Sequence, residues 1–174
     1  MHPSFQKILS EIEVQRRKTL DLVRHLTPEQ FNRSPEPGKW SVAQIMSHLI
    51  GGEKLSLSYL QKKIQGVEQA EDTGLWEEVK ITLLKISQRL PGLKFKAPQR
   101  IVENTVLYPD FSTIEREWDM VRTEFKAFLE KIPNQFVNRR IYKHPRAGYL
   151  NVRHALIFFR EHVIHHTPQL KKLL

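Results

Sequence analysis

The C-terminal stretch of this chain sets the strongest limit on what it can fold into. Val152, Ala155, Phe159, His162, His166, Leu170 and Leu173 recur at steps of three and four, the stripe that an amphipathic helix turns toward a core. Two histidines lie inside that stripe, four positions apart, so on a helix their imidazoles stand one above the other. Buried imidazoles need hydrogen-bond partners or an ion. The helix must therefore pack against elements that supply one or the other. His165 lies about 100° round from His162's stripe, on a line with Phe158 and Glu161, and is the weaker ligand candidate.

Helical periodicity runs through most of the remaining chain. Phe5, Ile8, Leu9, Ile12, Leu20, Val23 and Leu26 predict a first helix from residue 4 to about 26, interrupted by the polar Gln15, Arg16 and Arg17, which face either solvent or a pocket. Thr27-Pro28-Glu29-Gln30 predicts a short helical turn, with threonine as cap and proline at the first position. The prolines and glycine between Asn32 and Lys39 mark a loop. Ser41 and Gln44 form a capping box, with Trp40 placed to staple onto Ile45, and open a helix that runs to about Gln65. His48 falls beside Ile45 and Leu49 on its core face, and Gly51-Gly52 clears space there.

Gly66 to Gly74 reads as a connection and Leu75 to Leu90 as a helix, acidic at Glu77 and Glu78, basic at Arg89 and stopped by Pro91-Gly92. Leu93 to Pro109 shows no clear period. Ser112 and Glu115 read as a second capping box, opening a helix that ends before Pro133. Asn134 to Leu150 reads as a connecting segment without strands, and Asn151 as the N-cap of the final helix. With no convincing strand alternation, no repeat and no glycine-rich phosphate cradle, the expected architecture is all-α. It is one domain spanning residues 1–174, a bundle of four long helices with one or two short ones and long connections.

Composition narrows the chemistry. The chain has no cysteine, so a disulfide framework and a thiolate metal site are both excluded, and nitrogen or oxygen ligands must hold any ion. The N-terminus lacks an apolar signal core and no run approaches the roughly 18 apolar residues of a membrane span, so the expectation is a cytoplasmic protein with no membrane partner. A net charge of +9 raises nucleic acid or an anionic substrate as partners. Arg139, Arg140, Lys143 and Arg146 form the candidate patch. Because basic residues are spread along the whole chain, a solvated surface is favoured over nucleic acid.

His48, His162 and His166 are thus three inward histidines on two helices. Three neutral imidazoles suit zinc, nickel, copper or ferrous iron and leave positions for water or substrate. The competing reading makes each a separately hydrogen-bonded core residue in a non-catalytic bundle. Glu53 and Arg160 are candidate groups around the site, read more readily as surface or structural residues. No catalytic acid or base is identifiable.

Leu26-Thr27-Pro28-Glu29-Gln30, Pro37-Gly38-Lys39-Trp40-Ser41, His48-Leu49, His144-Pro145, Gly148, and His162 and His166 followed by Gln169 resemble, in order, the pattern of the DinB/YfiT-like superfamily. The resemblance implies an up-and-down or crossover four-helix bundle whose metal triad maps onto His48, His162 and His166, commonly with zinc or nickel and often in a homodimer. Members include thiol S-transferases and isomerases that use low-molecular-weight thiols, beside proteins called metal-dependent hydrolases. The implied function is a metal-dependent enzyme, a hydrolase or thiol S-transferase, acting on a small molecule. Around the last ligand the chain departs from many relatives, with Thr167-Pro168 where they carry arginine and glycine. Pro168 is expected to bend the final turn and displace Gln169 and Leu170.

Overall fold

The computed structural model describes residues 1–90 and 106–174. Helix α1 spans Pro3–Val23, α2 Pro28–Asn32, α3 Val42–Lys63, α4 Leu75–Arg89, α5 Phe111–Glu130 and α6 Val152–Lys171. Short 3-10 turns occupy Ile64–Gln69 and Asn134–Phe136. The unreadable stretch 93–109 and the Pro91-Gly92 stop lie largely outside the described residues.

The helix starts follow their capping chemistry. Thr27 with Gln30, and Ser41 with Gln44, each make both reciprocal bonds of a capping box, and the Asn151 carboxamide oxygen accepts from the His154 N–H at 2.9 Å. Helix α5 corrects the expectation at Ser112. Its cap is Asp110, whose carboxylate accepts from the Thr113 N–H at 2.8 Å, while the Ser112 hydroxyl donates to the same carboxylate from within the first turn. An aspartate two residues earlier outcompetes the serine for the free N–H groups.

The segment before α6 is also more ordered than expected. Strands β1 (Tyr142–His144) and β2 (Gly148–Leu150) pair antiparallel, with Tyr142 opposite Leu150 and His144 opposite Gly148. Three residues per strand are too few for alternation to register in sequence. Gly148 takes φ +70°, the left-handed conformation that favours glycine. Tyr142 and Leu150 are buried, while Lys143 lies over the exposed Tyr149 ring.

Helices α1, α3, α5 and α6 form the four-helix bundle. Around it α1 packs on α6, α6 on α3, α3 on α5 and α5 on α1, with α4 added against the outer side of α6. Two apolar clusters divide the core. One joins Phe5 and Ile12 of α1, Leu60 of α3, Phe125 and Leu129 of α5, and Ala155 and Phe159 of α6. The other joins Leu20 and Val23 of α1, Ile45 and Leu49 of α3, Ile114 and Trp118 of α5, and Val163 and Leu170 of α6. Each end thus takes the early halves of α1 and α6 with the late halves of α3 and α5, or the reverse. Helices α1 and α6 therefore run one way and α3 and α5 the other, the crossover form of the bundle.

Between these clusters lies a belt of buried polar groups. Glu53 of α3 is 2% exposed and accepts from the Trp118 indole N–H at 3.1 Å and from Arg122 at 2.5 Å. Arg122 also pairs with Glu13, and Glu13 with Arg16, which reaches Asp119 at 2.7 Å. The polar interruption of α1 is thereby resolved: Arg16 turns into the bundle and Arg17 out to solvent. Glu53 is structural, and no surface residue. Pro168 lies within α6, which continues to Lys171 and keeps Leu170 in the core, so the expected displacement does not occur. One missing N–H in the last turn is tolerated because Leu170 remains anchored by packing. Among the described residues, no helix is long and apolar enough to cross a membrane.

Replacing Glu53 by alanine leaves Arg122 buried without its closest carboxylate and should cost about 3 kcal/mol or more. Glu117→Ala, which removes the partner of the more exposed Lys54, should cost less than about 1 kcal/mol. Urea unfolding of both variants checks this. Equal costs would show that the buried belt does not hold the bundle.

Candidate metal centre

Helices α3 and α6 bring the three inward histidines together. His48 lies in the second turn of α3, fixed by the Ser41 cap, and His162 and His166 lie one turn apart on α6. The Nε2 atoms of His48 and His162 are 3.1 Å apart, as are those of His166 and His162, and one ligand atom from each histidine lies within 4.8 Å of the others. His48 and His166 are buried, whereas His162 keeps partial exposure. Gly52 is where α3 approaches α6: a Cβ there would lie 3.8 Å from His162 Cε1. The glycine thus faces His162 rather than only clearing room beside His48.

Aromatic rings fix the imidazole planes. Trp40 lies over His48 with centroids 5.0 Å apart, and Phe158 stacks on His162 at 5.2 Å and 17°. Phe158 precedes His162 by four positions, a spacing visible in the sequence, although it reads there as a neighbour of His165. The His166 Nδ1–H donates to the Gln169 side-chain oxygen at 2.9 Å, which leaves the Nε2 lone pair directed at the cluster. Pro168 therefore does not displace Gln169 from this role.

Burial lowers all three pKa values. His48 is pushed down to about 4 by burial, reinforced by His165. His166 is pushed down to about 3 by burial and by His48 against the opposing Gln169 bond, and His162 falls well below its ordinary value from burial and the two neighbouring histidines. At neutral pH all three are uncharged, the form that ligates. A proton on His162 Nε2 can be directed well at only one of its two nitrogen neighbours, whereas a cation satisfies three lone pairs together. An ion bound tetrahedrally at about 2.0–2.1 Å spaces its nitrogens roughly 3.3 Å apart, close to the 3.1 Å of the two edges that meet at His162, with all three nitrogens within 4.8 Å. The donor set fits a divalent ion.

Neighbouring groups divide by role. His165 turns from the cluster and donates Nδ1–H to the Gln88 carbonyl at 2.8 Å, tying α6 to α4. Arg160 pairs with Glu11 and with buried Glu161, which also binds Arg89, so it is a structural residue. Two further histidines have structural roles that the sequence reading does not assign. His144 Nδ1 accepts the N–H groups of Arg146 and Ala147 and closes the hairpin turn; His154 Nε2 meets Glu78 at 2.8 Å. Of the basic loop residues, Arg139 binds the Ala70 carbonyl and Asp72, and Arg140 binds Glu71 and Glu77.

The family model for the DinB superfamily matches residues 11–170. The chain belongs to the DinB superfamily. The uncharacterized protein YuaE of Bacillus subtilis (strain 168) is 26% identical over 158 residues, which is 91% of each chain. The solved structure of YfiT from Bacillus subtilis, described as a probable metal-dependent hydrolase with an unusual four-helix bundle topology, matches with a TM-score of 0.60. That match covers 97% of this chain and 84% of YfiT at 17% identity, and at that identity it supports the fold.

The histidine pKa values make stability depend on pH. Unfolded histidines protonate near 6.5, whereas His48 and His144 hold out to about 4 and His166 to about 3. Below pH 6.5 the unfolded chain binds more protons, so acid favours unfolding and stability is lost as pH falls through this window. Each of the three contributes about 1 kcal/mol per pH unit. With His162 shifted in the same direction, metal-stripped protein should therefore lose about 3 kcal/mol or more between pH 6.5 and 5.5, measured by urea unfolding. A flat profile would contradict the burial of neutral imidazoles.

Proposed function

We propose that this DinB-superfamily chain is a metal-dependent enzyme in which His48, His162 and His166 hold a divalent ion, zinc or nickel, for hydrolysis of a small molecule or transfer of a low-molecular-weight thiol to one. The observation that carries the reading is the convergence of three uncharged imidazole nitrogens from two opposed helices. An ion held there supplies Lewis acidity, polarising a carbonyl or acidifying water or a thiol. The protein's own contribution is positional. Gln169 sets the tautomer of His166, and Trp40 and Phe158 hold two imidazole planes.

Separately satisfied core histidines would each face a hydrogen-bond partner of their own. His48 instead turns Nε2 to another imidazole, and its buried Nδ1 has no hydrogen-bond partner among the described residues. The engagement of Arg139 and Arg140 by carboxylates and a carbonyl disfavours a phosphate-binding loop.

Zinc- or nickel-loaded protein should transfer a small thiol to an activated electrophile or hydrolyse a small ester or amide. The value of kcat/KM should fall about 100-fold or more in His162→Ala and much less in His165→Ala. Steady-state assays of both reactions check this. Equal rates in wild type and His162→Ala, or no activity in either reaction, would contradict the proposal.

A further inference from the structure

Strand β1 packs against both helices that carry the three histidines. Its pleat turns Tyr142 and His144 inward and Lys143 out to solvent. The Tyr142 hydroxyl meets that of Ser56 on α3 at 3.3 Å, one turn beyond the glycine that faces His162. Two residues further along the strand, the His144 ring meets Phe158 of α6 edge to face, with centroids 4.5 Å apart. Phe158 in turn lies one turn before His162. The strand thus ties α3 to α6 close to the place where they meet at His162.

The three ligands are fixed in different ways. His166 is oriented by its bond to Gln169, and His48 lies under Trp40. His162 makes no hydrogen bond outside the cluster among the described residues, so ring packing sets its plane. A ligating imidazole ordinarily gains its orientation from a hydrogen bond at the other ring nitrogen. Here the stack with Phe158, at 5.2 Å and 17°, takes that place. Phe158 is itself only partly buried, and such a ring keeps its rotamer only where a neighbour occupies the alternative space. His144 is that neighbour, and it is clamped: Nδ1 accepts the Arg146 N–H at 3.2 Å and the Ala147 N–H at 3.1 Å, two bonds that fix the ring in the hairpin turn.

We propose that His144 is a positioning residue of the metal centre: held by the hairpin turn, it seats Phe158, and Phe158 holds the His162 imidazole in its ligating orientation. The inference rests on the three-histidine metal site proposed above. It gives the hairpin a role in the site as well as in the fold.

Zinc affinity of the full untagged chain, read by competition with a chromophoric chelator, tests this relay in a double-mutant cycle. His144→Asn keeps an oxygen able to accept the turn N–H groups and removes the ring, whereas Phe158→Leu removes the stack. Each should weaken zinc binding about 10-fold or more and shift the visible absorption bands of the cobalt(II)-loaded protein. The double variant should bind zinc no more weakly than Phe158→Leu alone, because His144 acts through that ring. Unchanged zinc affinity in His144→Asn, or a further independent loss in the double variant, would show that His144 only closes the turn, and would overturn the relay while leaving the metal site in place. A wild type that binds no zinc would overturn the metal reading and the relay with it. His144→Leu is measured beside His144→Asn and should give the same loss. If circular dichroism shows both unfolded, His144 belongs to the fold rather than to the site, and the relay is overturned.

Discussion

Ionisable side chains in the middle of a helical bundle are costly to bury unless each meets a partner, and this structure meets that constraint twice. On one side of α3, Glu53 is closed off by Arg122 and the Trp118 indole. On another, His48 meets His162 and His166. The first arrangement is complete with protein groups alone. The second turns three imidazole Nε2 atoms toward one another, where a proton on His162 can serve only one of its two neighbours, and this incompleteness, rather than the presence of histidines, points to an ion.

The crossover arrangement serves this geometry. With α1 and α6 running against α3 and α5, the first turns of α3 meet the last turns of α6 in one apolar cluster. His48 follows a strong capping box by seven residues, and the His162–His166 pair precedes the end of α6 by a similar distance, so the site lies where both helices are still anchored at their ends. Gly52 lies at the place where α3 faces His162. Helix α4 supports the same region from behind through the His165 bond to the Gln88 carbonyl.

Much of this was legible in the sequence because it is local. Capping boxes at Thr27 and Ser41, the Asn151 cap and the three- and four-residue spacing of apolar positions specify helices without reference to distant contacts, and the same spacing puts His48, His162 and His166 on inward faces. What was not legible depends on partners far along the chain. Whether Glu53 is a surface or a structural residue stays open in the sequence because nothing nearby announces Arg122, 69 positions away. The hairpin at Tyr142–Leu150 is too short to show a period, and its turn is closed by His144, which sequence alone cannot distinguish from a free basic loop residue. Ser112 lost the cap of α5 to Asp110 because two competent caps lay within three residues. Pro168 left α6 in place because packing of Leu170 outweighs one absent hydrogen bond.

The account rests on the three histidines acting as one site built from two helices. Elemental analysis of the untagged protein, beside its His48→Ala and His162→Ala variants, tests that claim most directly. It predicts about one zinc or nickel ion per chain in the wild type and loss of that ion in both variants, although their substitutions lie on different helices. No bound metal after reconstitution with divalent ions, or full retention in either variant, would contradict it.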